Sequence, residues 1–240
     1  MRILLCLYTC DADADDLRVL EATPFLQNAR RSPGIEVVTI TANPRAPEAK
    51  SESTRIVVPC AEDYRWLSVK THLMIQTALA RPFDFLFKVD STLATYAARP
   101  HAKSEEMLSK LSPSAAAAAL SDPNFFATPY NGLVQQVATR TGFESWAAVK
   151  GIAGDFTRVF PNGATTPPYY LGKLYSLRRD FCQFIADHGA EMARQHQAWL
   201  GGAEDLMIGR LYQRWQQSNT GLPGLIRRAV SRLRPRTGNP

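Results

Sequence analysis

The chain has 240 residues, of which 45% are hydrophobic and 21% charged, so it is long enough to bury a sizeable core within one α/β domain. Its formal net charge is +6, but five arginines and no acid lie after residue 216, which leaves the rest of the chain nearly neutral. This distribution excludes a broadly basic surface, and we expect no nucleic-acid partner.

The apolar stretches also exclude a membrane-spanning or secreted protein. The first one, residues 1–8, is too short to cross a bilayer and runs into an acidic segment at residues 11–16. No later apolar run reaches membrane length, so we expect a cytoplasmic protein. The four cysteines are scattered and the four histidines lack ligand spacing, which favours reduced core thiols over disulfides or zinc.

Strand-like segments alternate with helical patterns over the first ninety residues. Strands are predicted at 2–9, 35–40, 55–59 and 83–90, and helices at 15–31 and 63–80. This alternation is typical of an α/β fold with a mostly parallel, doubly wound sheet flanked by helices. In the last strand the two-residue period places Lys88 and Asp90 on one face at its carboxyl end, where open α/β sheets bind ligands.

Residues 91–166 are less regular. The alanine run at 115–119 predicts a helix, and a strand is expected near 125–128.

A second ordered block begins at Pro167. It predicts a short strand to Ser176, which would cap a helix over 177–187 that ends at Gly189. The last strong helix is predicted over 204–215, with apolar residues along one face.

Four segments, occurring in the same order, carry a resemblance to a known family. They are Asp63–Thr71 (DYRWLSVKT), Phe87–Thr92 (FKVDST), Pro167–Asp180 (PPYYLGKLYSLRRD) and Glu204–Gly209 (EDLMIG). They are similar to motifs of the β-1,3-galactosyltransferase and fringe family of inverting glycosyltransferases. The resemblance implies a single GT-A-like domain over residues 1–222, followed by a basic tail at 223–240.

The same resemblance implies the reaction. A sugar would pass from a nucleotide-sugar donor, usually UDP-linked, to a saccharide or glycolipid hydroxyl with inversion, as in polysaccharide biosynthesis. Enzymes of this family hold a divalent cation, Mn²⁺ or Mg²⁺, between two carboxylates and the diphosphate. Here Asp90 stands at the first carboxylate position, but Thr92 replaces the second, and no histidine follows His196 to supply a further ligand.

Three interpretations of this metal site stay open. Cationic side chains and helix N-termini neutralise the diphosphate, or Asp90 holds the cation weakly, or activity has been lost. A non-catalytic nucleotide-sugar-binding protein is therefore the second hypothesis. A nucleotidyltransferase is a third, disfavoured because it too needs two metal-binding carboxylates.

The resemblance and the strand end together assign the candidate site residues. The donor is expected to contact Lys88, Asp90, Ser91, Thr92, Lys70 and Thr9. Asp205 is the expected general base, with Glu204 beside it, because inverting transfer needs a carboxylate opposite the leaving group. The alternative is structural: Asp90 caps a turn, and acids in the first turn of a helix complement its dipole.

The basic tail has apolar residues at helical spacing among its arginines. It is expected either to lie on an anionic membrane, which would suit a lipid-linked acceptor, or to be a disordered basic end.

Overall fold

The computed structural model describes residues 1–98, 105–149, 151–152, 156, 160, 165–200 and 202–220. The strands are β1 (Ile3–Tyr8), β2 (Ile35–Ala42), β3 (Lys50–Ser51), β4 (Arg55–Val58), β5 (Phe85–Asp90), β6 (Tyr130–Gly132), β7 (Gln135–Gln136), β8 (Tyr169–Tyr170) and β9 (Leu174–Arg178). The helices are α1 (Ala14–Glu21), α2 (Pro24–Arg31), α3 (Leu67–Ala78), α4 (Glu105–Lys110), α5 (Pro113–Ser121), α6 (Arg140–Val149), α7 (Arg179–His188), α8 (Ala190–Trp199) and α9 (Glu204–Thr220).

Within these residues, seven strands form one sheet in the order β3-β4-β2-β1-β5-β9-β6, and β7 pairs with β8. The strands β4, β2, β1 and β5 run parallel to one another. β3 is antiparallel to β4 at one edge, and β9 is antiparallel to both β5 and β6 on the other side. The sheet is thus mixed, mostly parallel and flanked by helices, which confirms the predicted α/β class.

The central strand β1 is buried on both faces because successive side chains point to opposite sides. Its even-numbered residues pack in one hydrophobic cluster with α3, α7, α8 and α9, and its odd-numbered residues pack in another with α1, α2 and α5. Helices therefore cover both faces of the sheet, as expected of strands that read as nearly continuous apolar runs.

Two predicted helices begin or divide differently because of local capping. The region 15–31 forms α1 and α2 rather than one helix, since Thr23 Oγ1 accepts a hydrogen bond from Leu26 N (3.4 Å) and Pro24 starts a new helix. Similarly, Asp63 caps a 3-10 turn at Tyr64–Trp66, its Oδ1 accepting from Arg65 N (2.8 Å). α3 therefore begins only at Leu67.

Other predictions in the second half were wrong. The strand expected at 125–128 is largely a 3-10 turn over Pro123–Phe126, because Asp122 Oδ1 accepts a hydrogen bond from Asn124 N (2.9 Å) and Pro123 favours the start of a turn. The two phenylalanines of this turn pack beside Phe85 and Phe87. Ser176 does not cap a helix, because it is buried inside β9 and α7 begins three residues later.

The remaining helical expectations fared better, although α8 was not anticipated. α5 contains the alanine run, α7 ends before Gly189 as predicted, and α9 extends past the predicted end to Thr220. No helix in the described part of the chain is both long and apolar enough to cross a membrane. The basic tail, 223–240, lies outside the described residues, so its contact with a membrane stays a prediction.

Candidate functional site

The candidate site lies where β1 and β5 end side by side, since Tyr8 pairs with Asp90 in their parallel register. β9 starts beside this end: Val89 pairs with Leu174, and Asp90 N donates a hydrogen bond to Lys173 O (3.0 Å). The register of β9 therefore places Lys173 next to Asp90. We name the charged residues gathered here, Lys88, Asp90, Lys173, Glu204 and Asp205, the strand-end cluster.

Asp90 is held by Thr92 and Lys173. Its Oδ1 accepts hydrogen bonds from Thr92 N (3.0 Å), from the Thr92 hydroxyl and from Lys173 Nζ (3.0 Å), and Lys173 Nζ also donates to Thr92 Oγ1 (2.6 Å). Burial opposes a charge on Asp90, but the ammonium groups of Lys173 and Lys88 and these hydrogen bonds outweigh it. The pKa of Asp90 accordingly lies well below its usual range, and Asp90 is ionised.

Lys88 forms a buried ion pair with Glu204. Its Nζ donates to Glu204 Oε1 (2.8 Å) and to Gly172 O, and it lies 3.9 Å from Asp90 Oδ2. Burial favours neutral Lys88, yet the charges of Glu204 and Asp90 prevail and raise its pKa. The Lys88 side chain is only 2% exposed, so it neutralises carboxylates from below the surface.

Gly172 connects the two acids of α9 to the sheet. Its N–H donates to Asp205 Oδ2 (3.3 Å) and its carbonyl accepts from Lys88. A Cβ at this position would lie 2.7 Å from Glu204 Oε1, closer than side chains tolerate. A side chain at this position would therefore force the Glu204 carboxylate, which Lys88 holds, to shift.

A second glycine, Gly209, brings α9 close to β8, which pairs with β7 outside the seven-stranded sheet. A Cβ at Gly209 would lie 2.6 Å from Tyr169 Cβ and 2.9 Å from Pro168 O. The missing side chain lets α9 close onto β8. The spacing between Glu204 and Gly209 is therefore explained by packing. About one helical turn after the two acids, α9 contacts β8, and only a residue without a side chain fits there.

Asp205, like Asp90, is a partly buried acid of the strand-end cluster. Leu206 N donates to its Oδ1 (2.8 Å), which together with the bond from Gly172 fixes the carboxylate. Burial, followed by the neighbouring charge of Glu204, raises the pKa of Asp205 to about 7, although these N–H donors and Lys88 oppose the shift. A carboxylate with such a pKa can take up and release a proton near neutrality.

The remaining predicted donor residues lie beside the strand-end cluster with their polar groups engaged or buried. Lys70 Nζ donates to Glu62 Oε2 (2.8 Å) and to Thr9 O, and it is 1% exposed. Thr9 is likewise buried, and Thr9 Oγ1 donates to Cys10 O (3.3 Å). Lys70 is thus positioned to tie α3 to the end of β1.

Ser91 and Tyr8 complete the floor of the site. Ser91 is fully buried, and its hydroxyl has no hydrogen-bond partner among the described residues. The Tyr8 ring lies 4.5 Å from Lys88 Nζ and 4.8 Å from Lys70 Nζ, measured to the ring centroid. Both ammonium groups are therefore stabilised by the same aromatic ring.

Of the eight residues predicted for the site, six lie together at the strand end and two, Lys70 and Thr9, lie beside it. The six are Lys88, Asp90, Ser91, Thr92, Glu204 and Asp205, and their roles stay predictions. Lys173, Gly172 and Tyr8 were not singled out. The position of Lys173 depends on the pairing of β9 with β5, which the sequence pattern does not reveal: the antiparallel register that aligns Tyr175 with Lys88 also aligns Lys173 with Asp90.

The side chains around Asp90 do not fit a hard divalent cation as they stand. Such a cation needs several oxygen ligands at about 2.0–2.6 Å. Asp90 Oδ1 already accepts three hydrogen bonds, Thr92 offers a hydroxyl in place of a carboxylate, and the Lys173 ammonium contacts both. Within the described residues, no three His, Cys, Asp or Glu side chains are grouped to hold a metal ion.

The comparisons with known proteins identify no family. No model of a protein family matches this chain, and no curated protein matches it either. The resemblance to inverting glycosyltransferases therefore stays a prediction from the sequence motifs.

Proposed function

We propose that this protein is a GT-A-like glycosyltransferase that moves a sugar from a nucleotide-sugar donor to a hydroxyl group, with inversion at the anomeric carbon. The proposed donor is a UDP-sugar. The observation that carries the proposal is Asp205, a fixed carboxylate with a pKa raised to about 7. It lies at the edge of the sheet where β1 and β5 end. General-base catalysis needs such a group close to a ligand site.

The proposed step is a single displacement. The acceptor hydroxyl oxygen attacks the anomeric carbon of the donor sugar, and its proton passes to Asp205. The bond between that carbon and the donor's diphosphate oxygen breaks, and the nucleoside diphosphate leaves with the electron pair. Inversion follows because attack and departure occur on opposite faces.

Each member of the strand-end cluster has a proposed part in this step. Asp205 accepts the proton, and the negative charge of Glu204 beside it makes Asp205 a stronger base. Lys88 holds Glu204 in place through the buried ion pair (2.8 Å). Asp90, Thr92 and Lys173 form the donor side, because they lie at the open end of β5.

The acceptor is proposed to be a saccharide or a lipid-linked glycan. A tail at 223–240 that binds an anionic membrane would bring the enzyme to a lipid-linked acceptor. Deleting residues 224–240 should then abolish binding to anionic liposomes. If the deletion leaves binding unchanged, or if the full chain does not bind, the argument for a lipid-linked acceptor fails.

A non-catalytic nucleotide-sugar-binding protein is the second hypothesis, and the replacement of a metal-ligating carboxylate by Thr92 favours it. Turnover separates the two. The test is release of nucleoside diphosphate from a panel of nucleotide sugars, with saccharide acceptors, in EDTA and in Mn²⁺. We expect release by the wild type and a loss of at least about a hundredfold in Asp205→Asn.

The Asp205→Asn variant must still bind donor, because the substitution leaves the donor side intact. Donor binding without turnover by the wild type would favour the binding protein. Neither binding nor turnover would remove both hypotheses.

A further inference from the structure

We propose that the Lys173 ammonium replaces the divalent cation and binds the donor's diphosphate directly. The inference rests on the proposed function and specifies how its donor is held. Lys173 Nζ lies 3.0 Å from Asp90 Oδ1 and 2.6 Å from Thr92 Oγ1. It therefore contacts both oxygen atoms, as a cation shared by a carboxylate pair would.

The substitution of Thr92 for a carboxylate is consistent with a single positive charge there. One ammonium group beside one carboxylate gives a net charge of zero. Two carboxylates would carry two negative charges, which a divalent cation has to offset. The Thr92 hydroxyl donates a hydrogen bond to Asp90, and its oxygen accepts one from Lys173. Thr92 can therefore bind the carboxylate and the ammonium group at the same time. A metal ion would compete with Lys173 for the same oxygen atoms.

Lys173 is also the lysine of the strand-end cluster that a ligand can reach. Its side chain is 23% exposed, compared with 2% for Lys88. An ammonium has three N–H donors, and Asp90 and Thr92 take two of them. The third has no hydrogen-bond partner among the described residues and can donate to a phosphate oxygen.

The backbone fixes Lys173 more firmly than an ordinary surface lysine. Asp90 N donates to Lys173 O (3.0 Å), so the same pair of residues is joined through the main chain and through the side chains. The Lys173 ammonium also lies 5.1 Å from the centroid of the Tyr96 ring. A cation held in advance of ligand binding loses little entropy when the diphosphate arrives.

Nucleoside diphosphate binding tests the inference without requiring turnover. UDP, GDP and dTDP are titrated into the full chain by isothermal calorimetry, in EDTA and in Mn²⁺. The variants are Lys173→Met, Lys173→Gln and Lys173→Arg, and the matched control is Lys50→Met, which removes the same charge from the exposed edge strand β3. Circular dichroism checks that each variant is folded, and Lys173→Gln serves if the methionine variant is not.

We expect a nucleoside diphosphate to bind in EDTA, with the same affinity after Mn²⁺ is added. Lys173→Met or Lys173→Gln should weaken it by roughly 10- to 100-fold, the range for a hydrogen bond to a charged group. Lys173→Arg should retain most of the affinity, and Lys50→Met all of it. Binding of the matching nucleoside, which has no phosphate, should be the same in every variant.

Two results would overturn the inference while leaving the proposed function intact. One is a nucleoside diphosphate that binds only in Mn²⁺. The other is a Lys173 variant that binds the diphosphate as tightly as the wild type. If the folded wild type binds none of the three diphosphates in either condition, the proposed function fails and the inference fails with it.

Discussion

Replacing Lys88 by methionine removes one charge of a buried ion pair while keeping most of the side-chain volume. Lys88 Nζ and Glu204 Oε1 are 2.8 Å apart, and the two side chains are 2% and 6% exposed. Taking one partner from such a pair leaves an uncompensated buried charge, which costs about 3–5 kcal/mol. That is a large fraction of the roughly 5–15 kcal/mol that stabilises a typical domain.

The assay is urea unfolding followed by circular dichroism, with Lys88→Met, Glu204→Gln and the double variant. The double variant has lost both charges of the pair, so neither is left unpaired. Its free energy of unfolding should be about 1–3 kcal/mol higher than the sum of the two single effects predicts. Lys50→Met, an exposed lysine, should change stability by no more than about 0.5 kcal/mol. Equal losses in Lys88→Met and Lys50→Met, or additive single effects, would refute the buried pair.

Three further predictions concern the same cluster. Because the folded-state pKa of Asp205 is raised from 3.8 to about 7, the wild type should lose stability as the pH rises from about 4 to about 7. Asp205→Asn does not titrate there, so its stability relative to the wild type should rise by up to about 4 kcal/mol over that range. A stability difference between the two proteins that stays constant across pH would contradict this. Gly172→Ala should lose about 1–3 kcal/mol in thermal unfolding, since the new Cβ would meet Glu204 Oε1 at 2.7 Å; an unchanged melting temperature would show that this contact relaxes freely. Thr92→Asp restores the second carboxylate and should make nucleoside diphosphate binding depend on Mn²⁺. The dependence should be strongest when Thr92→Asp is combined with Lys173→Met. If Mn²⁺ has no effect on binding by this double variant, the result would count against a cation position there.

The alternating pattern of the first ninety residues was enough to predict the centre of the sheet. The predicted strands correspond to β1, β2, β4 and β5, with α1 and α2 between β1 and β2 and with α3 between β4 and β5. The order β4-β2-β1-β5 and the short antiparallel strand β3 were not predicted. The division between α1 and α2 was missed because the apolar spacing continues across it. Thr23 and Pro24 decide the break, and such capping signals act over only a few residues.

The site was predictable where its residues belong to the strand end itself. Lys88 and Asp90 share a face of β5 by the two-residue period, and their side chains lie 3.9 Å apart. Lys173 was not predictable in the same way, because its position depends on how β9 pairs with β5. Ser176 misled the prediction for a related reason: a serine before a helical pattern favours a cap, but here the strand continues through it.

The insertion of β9 between β5 and β6 has a consequence for biosynthesis. Lys173 meets Asp90 across 83 positions of chain, and Lys88 meets Glu204 across 116. Until β9 has left the ribosome and docked, β5 exposes one open edge of an apolar strand, which invites pairing between nascent chains. A chain interrupted before residue 174 should therefore aggregate and not fold. In the cell, such a truncated product would be bound by chaperones or degraded by proteases.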